Sequence, residues 1–201
     1  DEEKTVFGNQ YKSASNSFLL NNVTNVASWK ETTSMFSVDY HVSDDLMTYI
    51  SLSEGFKSGG FNPRPVGGFT AAPFGPEYVE STEIGFKSEF NNRRFRLNGS
   101  YYFSDYKDLQ FSVNRFDAAT GTLQLLVGNA AEAEIDGYEL EFEAAITENL
   151  SLKASIGSAK FKITNLYPGT SPEITLNTKQ ALSPENTSAL SLIYSAPIMS
   201  G

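Results

Sequence analysis

The chain has 201 residues, no cysteine, and a formal net charge of −9 from 15 Lys+Arg against 24 Asp+Glu. Disulfides, thiolate metal sites and cysteine nucleophiles are therefore excluded, and the acidic balance argues against nucleic acid as a partner, because phosphate binding needs a cationic surface. No apolar run approaches the roughly 20 residues of a membrane-spanning helix, but a strand that is apolar only at every second residue passes that criterion unseen. Asp1-Glu2-Glu3-Lys4 does not read as a leader peptide. If the protein is exported, its leader is expected upstream.

The dominant signal in chain order is period two. Phe36, Val38, Tyr40 and Val42 alternate with Ser37, Asp39 and His41, and a less regular strand reads over 46–56. A second irregular strand reads over 82–90. Phe95, Leu97, Gly99, Tyr101 and Phe103 then alternate with Arg96, Asn98, Ser100, Tyr102 and Ser104. Tyr138, Leu140, Phe142, Ala144 and Ile146 alternate with Glu139, Glu141, Glu143 and Ala145. Leu150, Leu152, Ala154 and Ile156 alternate with Ser151, Lys153 and Ser155, and a last strand reads over 188–194. Strand side chains switch faces at each residue, so each run has one apolar and one polar face. No segment shows a helical repeat.

The connections alternate in length. Ser43-Asp44-Asp45, Asn91-Asn92-Arg93 and Thr147-Glu148-Asn149 read as tight turns, while 57–78, 105–131 and 162–183 read as long connections. The middle one is expected either as a loop or as a hairpin of its own around Ala118-Ala119-Thr120-Gly121. An up-and-down meander with this alternation puts its tight turns at one end and its long loops at the other, as outer-membrane barrels do and β-sandwiches have no reason to do. The 15 Phe and 10 Tyr suit aromatic girdles. The expected fold class is all-β, an antiparallel up-and-down meander forming part of a large transmembrane barrel. In it Arg96, Asn98, Glu139, Glu141, Glu143 and Lys153 face the lumen. Two rivals stay open: a passive porin-type channel segment and a soluble β-sandwich ligand-binding module.

Several ordered stretches carry a resemblance. They are 49–62 (Tyr-Ile-Ser-Leu-Ser-Glu-Gly-Phe-Lys-Ser-Gly-Gly-Phe-Asn), Gly75-Pro76-Glu77 with Ser81-Thr82-Glu83-Ile84-Gly85-Phe86-Lys87, and 97–110 with its Asp105-Tyr106-Lys107-Asp108-Leu109-Gln110 end. Asn129-Ala130-Ala131 with Ile135-Asp136-Gly137-Tyr138-Glu139-Leu140-Glu141, and Ser183-Pro184-Glu185-Asn186-Thr187, complete the series. Together, over residues 33–195, they resemble the barrel strands of TonB-dependent outer-membrane receptors, especially the branch of the ferric-yersiniabactin (pesticin) receptors. The resemblance implies residues 1–201 as part of a receptor barrel without the plug domain, located in the bacterial outer membrane. It implies uptake of a scarce nutrient, most often a ferric siderophore. The implied partners are outer-membrane lipid, that small ligand, and a TonB complex acting through a plug; no segment here reads as a TonB box.

No chemistry-bearing cluster points to an enzyme. Glu139, Glu141 and Glu143 lie about 7 Å apart along one strand face, which suits paired-carboxylate chemistry in distance, but a hydrated wall is the stronger reading because no nucleophile or base lies near. His41 is the one histidine and cannot make a metal site or a triad alone. No cofactor and no metal are expected. Gly59-Gly60 and Gly67-Gly68 lack the setting of a phosphate loop and read as sources of backbone freedom. The candidate ligand contacts are Phe61, Arg64, Phe69 and Phe74 in the first long connection and Arg115 and Phe116 in the second, since aromatics with a cation suit a bulky anionic chelate.

Overall fold

The computed structural model describes residues 2–12, 17–62, 73–117 and 121–196, with the backbone alone for 2–3, 5–12, 17–23, 113–117 and 122–125. Nine strands and no helix are present among them: β1 (Glu2–Lys12), β2 (Ser17–Trp29), β3 (Met35–Ser43), β4 (Leu46–Lys57), β5 (Glu77–Phe90), β6 (Phe95–Asp117), β7 (Thr122–Ala145), β8 (Leu150–Leu166) and β9 (Asn186–Tyr194). Strands β3 to β9 form one seven-stranded sheet in chain order, every neighbour antiparallel. The fold is thus the up-and-down meander that period two predicts. Its three tight turns fall at one end. At the middle one, Asn91, Asn92 and Arg93 all take positive φ (56°, 55° and 63°). Asn tolerates that region; Arg93 enters it beside Glu89, with which it makes an ion pair at 3.3 Å.

Two elements stand out against the sequence reading. Of its two alternatives for 105–131 the hairpin holds and the loop does not: β6 and β7 run on through it as one hairpin of 23 and 24 residues, pairing as far as Asp117↔Thr122. A register shift at Asp108, whose φ is +55°, interrupts the alternation there and makes the extension look irregular. The second difference is the β1–β2 hairpin, a separate two-stranded sheet that the sequence reading did not include. Its register shifts between Gly8 and Tyr11, which breaks period two.

The wall is a single layer with its apolar residues outward. Phe36, Val38, Ile50, Leu52, Ile84, Tyr101, Phe103, Tyr138, Ile156, Leu190 and Leu192 are each at least 40% exposed. Register places them on one face, because Val38↔Ile50, Ile50↔Ile84, Ile84↔Tyr101 and Tyr101↔Tyr138 are direct partners. An exposed apolar face of this extent needs an apolar solvent. The buried cluster among the described residues lies instead at the long-loop end: Ala130, Ala131, Ile163 and Ile174, with Phe111, Phe161 and Leu166 against it.

The upper margin of the apolar face is oblique. One line of direct partners runs Leu52↔Thr82, Thr82↔Phe103, Phe103↔Asp136 and Asp136↔Lys160. It starts on an apolar residue and ends on charged ones. The last apolar residue is Phe103 on β6, Tyr138 on β7 and Ile156 on β8, so the margin falls about two residues per strand. With a rise of about 3.4 Å and a spacing of about 4.8 Å, that slope is roughly 55°, steeper than the roughly 35–45° by which barrel strands tilt.

Candidate functional site

The face opposite the apolar one is polar. Arg96↔Glu143, Asn98↔Glu141 and Ser100↔Glu139 are direct partners across β6 and β7, and Glu143↔Lys153 continues the line onto β8. All six residues expected to face inward therefore share this face. Glu143 is its densest point: Lys153 Nζ donates to Glu143 Oε1 at 2.7 Å and Arg96 approaches the other oxygen at 3.5 Å. Arg96 also donates to Glu89 at 2.7 Å. Further along, the Tyr49 hydroxyl donates to Glu83, Lys87 lies 5.7 Å from the Tyr49 ring centre, and Ser81 hydrogen-bonds Ser104. Asp39, Glu83, Asn98, Ser100, Glu139 and Glu141 line an open hollow in this face. Its charged lining is Asp39, Glu83, Glu139 and Glu141 against Lys87, set among six serines. The hollow suits a polar, partly cationic surface more than an apolar ligand.

At the long-loop end, residues 58–62 and 73–77 are the two stems of the first long connection. They bridge at Gly60 and Phe74, through Phe74 N→Gly60 O at 2.8 Å and Gly60 N→Phe74 O at 3.1 Å. Gly59 and Gly60 are glycine because of close approach, which corrects the expectation of backbone freedom. A Cβ on Gly59 would run into the Phe74 carbonyl and the Trp29 indole, and one on Gly60 would lie 2.8 Å from the Phe74 ring. The positive-φ glycines among the described residues are Gly121 and Gly169.

Of the expected ligand contacts, Phe61 and Phe74 are half-buried in these stems. Phe61 meets Trp29 edge-on at 6.5 Å. Arg64 and Phe69 lie outside the described residues. Arg115 and Phe116 correct the loop expectation: both are within β6, paired with Gln124 and Leu123, and their side chains are outside the described set. Sequence reasoning missed Trp29, Asn62, Gln110 and Asn129, whose side chains organise the stems. Asn62, Gln110 and Asn129 do stand inside the motifs that carry the resemblance, so a signal for them was present. The connection after β8 docks on the same end: Tyr167 N and Thr170 Oγ1 both donate to Ala130 O, at 2.9 and 2.7 Å. Tyr167 Oη accepts from Asp108 N at 3.2 Å, and burial pushes its phenol pKa up.

Residues 6–197 match the family described as TonB dependent receptor-like, β-barrel. The chain belongs to that family. The pesticin receptor of Yersinia enterocolitica is 29% identical over 105 residues, which is 52% of this chain and 14% of the receptor, and that of Yersinia pestis is 28% identical over the same length. Among solved structures, the ferric yersiniabactin uptake receptor FyuA from Yersinia pestis superposes with a TM-score of 0.58 at 22% identity, over 86% of this chain and 23% of that one. The ferric-catecholate import receptor Fiu from E. coli K12 gives 0.61 at 18% identity, over 90% and 25%. The chain thus spans about a seventh of the curated relatives it matches and about a quarter of these structures. Family membership makes this sheet a wall in the bacterial outer membrane, and the family is one of receptors and transporters, not enzymes. In such barrels the tight turns are periplasmic and the long connections extracellular.

Proposed function

We propose that the whole protein is a TonB-dependent uptake receptor for a ferric siderophore, and that residues 1–201 supply part of its barrel wall and extracellular loops. The observation that carries this reading is the pairing of a polar, carboxylate-rich face with an apolar outward face on strands of the receptor-barrel family. The polar face is read as the lumen side, where Arg96, Asn98, Glu139, Glu141, Glu143 and Lys153 meet water and a plug, and the plug as the link to the TonB complex. The ligand class is supported by the ferric-siderophore receptors among the similar structures. In this reading Phe61, Phe74 and the 63–72 stretch with Arg64 and Phe69 contribute to ligand contact at the extracellular mouth, together with Arg115 and Phe116 at the hairpin end.

The test is growth under iron limitation in cells carrying the intact gene or its deletion, with ferric yersiniabactin or a ferric catecholate as the iron source. Growth that needs both the gene and TonB on one of these chelates is the expected result. Uptake that persists without TonB supports a passive pore instead, and no gene-dependent growth on either removes both chelates from the proposal. On the chelate that works, Phe61→Ala weakens binding by about 1–2 kcal/mol, the size of an ordinary interface truncation. Unchanged affinity removes Phe61 from the contact.

A further inference from the structure

The β6–β7 hairpin outruns its neighbours. Pairing with β5 ends at Tyr78↔Lys107 and pairing with β8 ends at Ala131↔Leu166. Beyond those points β6 and β7 have each other as strand partners, and a lone two-stranded hairpin is marginal in water. It would swing on the wall unless something braced it. The β1–β2 hairpin stands in the same position, a two-stranded sheet outside the main one.

The brace is built from three side-chain amides. Asn62 behaves as a strand residue: its Oδ1 accepts from Val127 N at 2.6 Å and its Nδ2 donates to Val127 O at 3.3 Å. Asn129 does the same in the other direction, with Gly75 N→Oδ1 at 2.7 Å and Nδ2→Gly75 O at 3.1 Å. Its Nδ2 also reaches Pro76 O and, at 2.6 Å, the Asp108 carbonyl that the β6 bulge presents. Gln110 Nε2 donates to Ser58 O at 3.1 Å and to Gly75 O at 3.0 Å, tying the two stems together. From the other side Lys4 Nζ donates to Ser58 Oγ at 2.8 Å and Gly59 O at 2.9 Å, and Trp29 covers Gly59 and Phe61. Asn62 is 6% exposed. A buried amide that loses its partners keeps its desolvation cost, so these bonds resist opening one at a time.

We infer that residues 58–62 form a clasp that joins the β1–β2 hairpin, the 73–77 stem and the β6–β7 hairpin into one rigid extracellular body, with Asn62, Gln110 and Asn129 as its positioning residues. Displacement of any one segment is then shared by the others. The link extends to the connection after β8, through Asp108 N→Tyr167 Oη. The clasp acts on the loops whatever ligand the receptor takes, so it stands or falls separately from the choice of siderophore.

Electron–electron double resonance on the full-length receptor in outer-membrane vesicles tests this. One spin-label pair, at Thr24→Cys and Ser112→Cys, spans the two hairpins on exposed positions. A second pair, at Val38→Cys and Ile156→Cys, reports on the wall. The unaltered clasp gives a single narrow distribution for the first pair. Asn62→Ala and Asn129→Ala broaden and shift that distribution while the wall pair stays unchanged. Gln110→Ala, which unties the two stems from each other and leaves both Asn62 bonds to Val127 in place, broadens it less than Asn62→Ala and serves if the alanine variant at 62 disturbs the wall pair as well. A hairpin-to-hairpin distribution equally narrow in all variants, or equally broad before any substitution, overturns the clasp.

Discussion

Lys153 and Arg96 approach one carboxylate, Glu143, from the strands on either side of it. All three side chains are 40–56% exposed, and such pairs contribute at most about 1 kcal/mol. Their value lies in which face they occupy. Lys153→Leu is therefore expected to leave unfolding of the full-length receptor in lipid vesicles within about 1 kcal/mol of the unaltered protein. Phe142→Arg, on the other face and midway along the apolar run from Tyr138 to Ile146, costs about 2–4 kcal/mol near the bilayer midplane. Denaturant titration measures both, and equal effects would contradict the assignment of faces.

Gly137 and Gly128 both lie in β7 and offer an internal comparison. A Cβ on Gly137 would fall on the Ser158 carbonyl and the Tyr102 ring, whereas one on Gly128 meets nothing within 4 Å. Overpacking against backbone costs about 1–3 kcal/mol. Gly137→Ala should lower the unfolding midpoint and the yield of folded barrel in the outer membrane, and Gly128→Ala should do neither. Heat-modifiable mobility on gels reads both variants.

The oblique margin of the apolar face predicts depth. Tryptophan placed singly at Phe103, Tyr138 and Ile156 should be quenched equally by lipids brominated at one acyl position, because all three sit on the margin. If the bilayer edge instead followed the partner line from Phe103 through Asp136 to Lys160, Ile156 would lie about 13 Å deeper along its strand. Graded quenching in that sense would contradict an oblique bilayer edge.

The wall was legible because period two survives in it. From Phe36 to Val42, Phe95 to Phe103 and Tyr138 to Ala144, each residue's face follows from its parity, and pairing adds only the register. Legibility stops where an extra residue enters a strand. The bulge at Asp108 shifts parity, so the far half of the β6–β7 hairpin reads as a connection, and the shifts between Gly8 and Tyr11 hide β1 and β2 in the same way. The loop stems were half legible. Their glycines and aromatics stand out in the sequence, but Asn62 meets Val127 across 65 residues and Asn129 meets Gly75 across 54. No local pattern announces a partner at that distance. The role of Gly59 illustrates the limit: its reason lies in Trp29 and Phe74, neither of which its neighbours reveal.

The central claim is that this sheet stands in the outer membrane with its apolar face toward lipid and its polar face toward the lumen. The most direct measurement is a fluorophore scan along β6 from Phe95 to Phe103, one cysteine at a time, in the full-length receptor reconstituted with brominated lipids. Strong quenching at Phe95, Leu97, Tyr101 and Phe103 with weak quenching at Arg96, Asn98, Ser100 and Tyr102 is the predicted result. Quenching that lacks period two, or that is strong at Arg96 and Asn98 and weak at Leu97 and Tyr101, would contradict it.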